Sequence, residues 1–600
     1  MECCKAISPP CTCADRLNSE VVNGATASTS DTADSLESPT QKYPYVLLLA
    51  ILSAVAVLVS NISGIATGDD GVGYRAIADS LLNGQGYGYF LERPVTIWPP
   101  IWSTLMAGVA WATPLDTMGA VILLNAAVAA AVVVVGNRLL RLFVSNTRLV
   151  LLGTLVLAFG PSTIGLGHVL MTDMAFALLL MAWILTLIRF RSSGSVPTLI
   201  LAGLLVWVGF GLRYIGLVLI AFGGLWLLLD RNRSWLARIR NGAIYGAVSF
   251  IAPGLWMARN YSIDETFTGE RHPSARGLVD NGFDIAATLG RFLLPGLGNG
   301  LTKIWAAVGL SVLAVAMYLA WRLLRVPRPE NLGAAGNPSR ELLSTGAVVH
   351  RLIAIPGTTL GLLLFFPILY MVYMLYVRTT TALNQLDLRL LYPAYFPLMF
   401  LALALIDRLP RLNSTAETAA DPASESAAGA RTGSGSGSGS DTSAAAAQGN
   451  RWWKIGYGGA HVWAAANLAA GCVAMVAFAA GHPYFIGNYE ANVFEQVRAN
   501  PAIEALPANC RLYSNLPNGL YPAYEAQWSP QRRALESSEE IPDLQEITTS
   551  LASTESCLIW IDEPPVYGHL WTLEQLKARL SLTELASNGN VSVYRMQPPR

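Results

Sequence analysis

Nearly charge-free apolar runs alternate along this chain with short stretches that collect its Arg, Asp, Gly and Pro. A run of about 20 apolar residues has the length to cross a bilayer as a helix, since each helical residue rises about 1.5 Å and the hydrocarbon core is about 30 Å thick. The pattern predicts spans over 44–64, 117–136, 149–165, 174–188, 198–212, 215–229, 243–258, 304–320, 352–376, 390–406 and 455–480. The expected fold class is an all-α polytopic membrane protein with about eleven transmembrane helices. A short apolar segment, 98–111, opens on Pro99-Pro100 and is ambiguous by length alone.

Charge decides how that segment is read. Counting it as a full crossing would put Arg138, Arg141, Arg148, Arg189, Arg191, Arg231, Arg233, Arg238 and Arg240 outside the cell. Cytoplasmic loops carry the excess of Arg and Lys, so 98–111 is expected to be an interfacial or re-entrant helix. The N-terminus is then cytoplasmic and the C-terminus lies beyond the plasma membrane. On that reading 65–116 is a large first outer loop, 259–303 and 377–389 are further outer loops, and 481–600 forms an extracytoplasmic domain.

The polar ends of the chain divide it further. Residues 1–42 are rich in Ser, Thr and Asp and are expected to be a disordered tail, with Cys3, Cys4, Cys11 and Cys13 crowded into it. Residues 43–409 form the membrane module. Residues 410–450, which carry a strict Gly-Ser repeat over 433–440, read as a flexible cytoplasmic linker, and 451–480 as the last transmembrane helix. In the C-terminal domain short strand patterns at 557–561 and 591–595 flank a helical pattern at 573–580, so a small α/β domain is expected. Cys510 and Cys557 are candidates for a disulfide if that domain is outside the cytosol.

Composition agrees with the membrane assignment and narrows the partners. Hydrophobic residues make up 53% of the chain and charged residues 13%, against about 25% charge in a soluble domain. The formal net charge is zero, which gives no bias toward nucleic acid. Neither a phosphate-binding GxxxxGK[ST] loop, a GxSxG elbow nor an HExxH helix occurs in the sequence.

Two adjacent carboxylates, Asp69 and Asp70, stand just past the outer end of the first span. Ionisable groups at a membrane are costly unless something uses them. They are followed by a helical pattern over 74–82, expected to lie on the membrane surface, then by the turn Gly84-Gln85-Gly86-Tyr87, then by Trp98-Pro99-Pro100-Ile101-Trp102. Asp69-Asp70-Gly71 with Tyr74, Ala78, Leu81, Leu82, Gly84, Gly86 and Tyr87, and Pro99-Pro100-Ile101-Trp102 after them, resembles the first outer loop of the GT-C membrane glycosyltransferases. The likeness is greatest to family 39 and its relatives, among them the protein O-mannosyltransferases and the lipid A aminoarabinose transferase. The motif covers a few dozen residues, while the hydropathy layout extends the likeness over most of the chain.

The resemblance implies an enzyme that moves a sugar from a polyprenyl-phosphate donor to an extracytoplasmic acceptor, with inversion. The acceptor classes are cell-wall glycan, glycolipid and protein. Asp69 or Asp70 would serve as the base for the acceptor hydroxyl, with Asp173 as a second acid of the site. The donor phosphate needs cations, and the outer-side candidates are Arg389, Arg271, Arg276 and Arg213. Arg389 lies in Arg389-Leu390-Leu391-Tyr392-Pro393, similar to a late Arg-(Tyr/Leu)-x-x-Pro segment of the family. His168, Tyr74 and Trp98 are candidates for binding the acceptor or the sugar. Some relatives use a divalent metal, for which Asp70, His168 and Asp173 are the candidates here. The competing readings are a transporter or flippase of a lipid-linked molecule, or a membrane scaffold. Spans that are nearly free of charge, with the acids kept in an outer loop, favour surface chemistry.

Overall fold

The computed structural model describes residues 44–293, 302–325, 357–408, 440–482, 488–534, 537, 539–562 and 568–599. The tail 1–42, most of the 410–450 linker and the first residues of the 352–376 run lie outside the described residues. The elements of the membrane module are α1 (Pro44–Ser60), α2 (Asp69–Leu82), α3 (Ile101–Ala112), α4 (Thr117–Arg141), α5 (Thr147–Phe159), α6 (Pro161–Gly167), α7 (Asp173–Ser193) and α8 (Val196–Leu212). They continue as α9 (Leu217–Leu229), α10 (Trp235–Asp264), α11 (Leu278–Leu293), α12 (Thr302–Arg325), α13 (Thr359–Thr380), α14 (Leu388–Arg408) and α15 (Ser440–Ala479).

Among the described residues six helical stretches are long and apolar enough to cross a membrane: α4, α5 continued by α6, α7, α13, α14 and α15. Helices α1, α8 and α9 are shorter apolar helices. The chain is an integral membrane protein. The module is organised around α7, whose apolar window is 72% buried inside the protein, against 22% for α15 at the periphery.

Local sequence explains the ends. The Asp116 carboxylate caps α4 by accepting from Gly119 N at 2.7 Å, and Asn146 caps α5. Gly194, at φ 66°, closes α7 in the left-handed conformation that glycine takes without strain. Pro161 begins a new helix after α5, so the expected 149–165 span is split in two.

Ion pairs and hydrogen bonds sort the two ends of the bundle. At one end Arg141 bonds Tyr45, Asp407 accepts from the Ser145 and Asn146 amides, and Asp230 faces Arg191 and Arg233. At the other end Asp79 of α2 accepts from Thr117, the first residue of α4, at 2.8 Å. The end of α1 and the start of α4 therefore lie at the same end, with the short α3 between them. Its 12 residues would span only about 18 Å as a helix, too short for the hydrocarbon core.

Four details differ from the sequence reading. The surface helix begins at Asp69 rather than near Tyr74, so both acids sit in its first turn, where the helix dipole favours negative charge. That helix does not lie with one face open to lipid. Val72, Ala76 and Ile77 pack against the C-terminal domain, while Tyr74 and Ala78 pack against α3 and its neighbours. The 259–303 stretch, expected to be a loop, contains α11, which packs tightly on α12. A Cβ at Gly290 would stand 2.2 Å from the Trp305 carbonyl oxygen, so only glycine permits that approach. Residues 440–450, expected to be coil, are helical and continuous with α15.

The C-terminal domain begins with α16 (Asn492–Arg498) and carries the strands β1 (Arg511–Ser514), β2 (Gln527–Trp528), β3 (Ser556–Ile561), β4 (Ser581–Asn588) and β5 (Val591–Gln597). They form one sheet in the order β2-β1-β3-β5-β4, with β1 parallel to β2 and β3, and β5 antiparallel to β3 and β4. Cys510 and Cys557 are bonded, their Cα atoms 5.8 Å apart, which ties the edge of β1 to the central β3.

Candidate functional site

The site gathers on the helix ends that share the side of the first outer loop. The break at Gly68 frees the start of α2, and a bridge between Ala66 and Val169 holds that turn against the α6–α7 junction. Gly71 is needed at this contact, since a Cβ there would meet the Leu170 carbonyl at 3.0 Å.

Asp69 and Asp70, adjacent in sequence, have different surroundings. Asp69 Oδ1 accepts from Tyr489 Oη at 2.8 Å and from Asn518 Nδ2 at 2.6 Å, both from the C-terminal domain. Its Oδ2 accepts no hydrogen bond from the described residues. Burial pushes its carboxyl above the usual carboxylate range; the two hydrogen bonds offset part of that rise, and the Asp70 charge adds to it. Asp70 engages both oxygens: Oδ1 accepts from Trp98 Nε1 at 3.3 Å, and Oδ2 meets Arg389 Nη1 at 3.4 Å.

Three arginines reach the same place from three parts of the chain. Arg389 is set by the N-terminus of α14, where Asp387 Oδ1 accepts from the Arg389 and Leu390 amides. Arg213, just past α8, is paired with the fully buried Asp173 at the start of α7. Both arginines act electrostatically on the Tyr74 hydroxyl, as does Asp70; burial raises that hydroxyl to about 12. Arg271 feels Asp70, Tyr74 and Tyr214. Its loop is pressed onto the segment before α3: Arg271 donates to the Thr268 carbonyl at 2.9 Å and the Ile97 carbonyl at 3.4 Å. Gly269, at φ +83°, allows that approach, because a Cβ there would lie 2.6 Å from Ile97 Cα.

Trp98 closes one side. Its ring packs on Tyr74 and Tyr89, at centroid distances of 6.1 and 5.1 Å. A Cβ at Gly73 would come within 2.4 Å of it. Tyr214 adds a polar wall: it donates to the Thr96 carbonyl and accepts from Trp256 and Asn260.

The structure thus brings together Asp69, Asp70, Tyr74, Trp98, Arg389, Arg271 and the Asp173–Arg213 pair. Two candidates lie elsewhere. His168 is buried, stacked on Phe478 at 4.3 Å and bonded to Asn61, and burial holds its pKa near 4. Arg276 pairs with Asp284 of α11 at 3.2 Å, away from the acid pair. The candidate metal residues Asp70, His168 and Asp173 are each engaged with a different partner. Among the described residues no cluster of three or more His, Cys, Asp or Glu side chains is placed to hold a metal ion.

Sequence reasoning missed Tyr489 and Asn518. They belong to a domain with no motif to mark them, and neither residue type stands out in its stretch. Tyr214 was within reach, being next to Arg213.

This helical bundle, with an acid pair facing several arginines and a C-terminal domain over it, is similar in fold to solved structures. ArnT from Cupriavidus metallidurans, solved bound to undecaprenyl phosphate, superimposes with a TM-score of 0.53 at 15% identity, over 93% of this chain and all of that one. The same protein in its apo state gives 0.52 at 14% identity, over 94% of this chain and all of that one. AglB from Archaeoglobus fulgidus, an archaeal oligosaccharyltransferase, matches at 0.46 and 12% identity over 88% of this chain and 70% of that one, too loosely to argue from. Neither the protein-family models nor the curated proteins give a match to this sequence.

Proposed function

We propose that this protein is a membrane glycosyltransferase that moves a sugar from a polyprenyl phosphate to an acceptor hydroxyl on the non-cytosolic side, with inversion. The observation that carries the reading is the meeting of the acid pair with Arg389, Arg271 and Arg213 around Tyr74, at one end of the bundle. A phosphodiester head group entering from the bilayer needs guanidinium groups at that depth. The resemblance of the fold to a protein solved with undecaprenyl phosphate supports the same donor class.

In this reading Asp69 is the base. Two neutral donors fix one oxygen and leave the other to take a proton, and burial strengthens its basicity. Asp70 spends its oxygens on Arg389 and Trp98 and sets the position of that guanidinium. The acceptor oxygen attacks the anomeric carbon as its proton passes to Asp69. The bond from that carbon to the phosphate oxygen breaks, and polyprenyl phosphate leaves.

The N-terminus is cytoplasmic and the C-terminal domain extracytoplasmic in this reading, a placement that the Arg distribution and the Cys510–Cys557 disulfide both support. The test is transfer by purified Asp69→Asn and Asp70→Asn variants, with undecaprenyl-phosphate hexoses and pentoses as donors and membranes from a deletion strain as acceptor. Asp69→Asn is expected to lose transfer at least a hundredfold, and Asp70→Asn to lose less while weakening donor binding. Full transfer by Asp69→Asn removes the base assignment.

A further inference from the structure

We infer that Tyr489 and Asn518 of the C-terminal domain are positioning residues for Asp69, so that the outer domain completes the active site rather than merely covering it. The inference rests on the reading of Asp69 as the base. Its observations are geometric and separate from that reading. The domain docks on α2 and the turn before it by a row of polar bonds. Asn488 Oδ1 accepts from Thr67 N at 2.8 Å, and Tyr489 N donates to the Thr67 carbonyl at 2.9 Å. Arg75 pairs with Glu490 at 2.8 Å, and Tyr521 donates to Asp79 at 2.5 Å. Two side chains in this row bond one carboxylate oxygen of one acid, Asp69, while Asp70 receives no bond from the described residues of the domain.

One further group makes the arrangement rigid. The Arg498 guanidinium of α16 donates to the carbonyls of Tyr489, Gly519 and Tyr521 at 3.1, 3.0 and 3.5 Å. A single side chain thereby braces both segments whose residues hold Asp69. Gly519 sits so close to Phe494 that a Cβ would come within 2.7 Å of the ring, which fixes the short helix Pro517–Leu520, with Asn518 in it, against α16. A base must hold its free lone pair toward the acceptor proton within a few tenths of an ångström, and second-layer hydrogen bonds are how that precision is kept.

The two donors also set when Asp69 is charged. Both stabilise the carboxylate over the acid, against burial and the neighbouring Asp70 charge. Tyr89, also buried beside the pair, feels the charges of Asp69 and Asp70. Arg75 and Glu490 neutralise one another along the same interface. Removing the donors while leaving these charges in place raises the pKa of Asp69 further, so the acid limb of the transfer profile moves to higher pH.

The test compares full-length wild type, Tyr489→Phe, Asn518→Leu, the double variant and Asp69→Asn in nanodiscs. The assay is release of undecaprenyl phosphate from its hexose and pentose conjugates between pH 5 and 9, with deletion-strain membranes as acceptor. Each single variant is expected to lose about tenfold in kcat at pH 7. The acid limb moves up, activity recovers in part toward pH 9, and the affinity for undecaprenyl phosphate stays within twofold of wild type. Tyr489→Phe deletes one oxygen and keeps the ring, so it preserves packing where Asn518→Leu does not. An unmoved acid limb in Tyr489→Phe, or unchanged kcat, overturns the positioning role even if Asp69→Asn is inactive. Transfer by Asp69→Asn overturns the base reading and this inference with it.

Discussion

Arg389 and Asp70 are separated by 319 residues in the chain and by 3.4 Å in space. The pair joins the first outer loop to the N-terminus of α14, and it places a cation in a partly buried setting where a lipid phosphate would find little competing water. Arg389→Ala is expected to weaken undecaprenyl phosphate binding by tenfold or more, since a hydrogen bond to a charged group contributes roughly 1.5–3 kcal/mol. Arg389→Lys keeps the charge and loses the planar fork, so its loss is smaller. Titration of the lipid into nanodisc-embedded variants measures both, and equal affinity in Arg389→Ala and wild type would remove this residue from the donor site.

Asp173 is held in an ion pair with Arg213. Its side chain is 1% exposed and the Arg213 side chain 19%, so neutralising the acid leaves a largely buried guanidinium without its counter-charge. Asp173→Asn is expected to destabilise the protein by about 3 kcal/mol, the cost of breaking a buried pair from one side. Thermal unfolding in nanodiscs would show it as a clear drop in Tm. An unchanged Tm would mean that Arg213 finds another partner.

The orientation of the module is checked by labelling. Gln85 lies exposed in the turn after α2. Gln85→Cys is expected to react with a membrane-impermeant maleimide in intact cells, and a cysteine placed at Arg231 in the α9–α10 turn only after permeabilisation. The reverse pattern would put the acid pair in the cytosol and end the assignment of this side to lipid-linked donors.

Stability should also depend on pH through His569. Burial, followed by the positive charges of Arg533 and Arg532, lowers its pKa to about 4 from the ordinary 6.5. Above pH 6.5 both folded and unfolded chains hold the ring neutral and it contributes no slope. As pH falls from 6.5 toward 4 the unfolded chain takes up a proton that the folded chain refuses, and stability is lost at about 1.4 kcal/mol per pH unit. Between pH 7 and pH 5 wild type is expected to lose more Tm than His569→Gln. Parallel losses in the two proteins would place the acid sensitivity elsewhere.

The sequence by itself determined the membrane module and most of its helices, because a bilayer leaves few choices. Backbone groups in hydrocarbon must bond within the helix, so span length and apolarity are written locally, and Arg distribution orients them. The acid pair and Arg389 were likewise legible, from a short motif. Only the tertiary structure decided what those residues touch. Asp69 and Asp70 are chemically identical neighbours, and the difference between them comes from Tyr489 and Asn518, more than 400 residues away, and from Arg389 on a late helix. His168 read as a surface candidate and proved to be packed on Phe478, a contact between the end of α6 and α15 that no local pattern records. Helical periodicity is a property of a few adjacent residues. A carboxylate's basicity depends on every group within several ångströms, whatever its place in the chain, and so only the folded arrangement sets it.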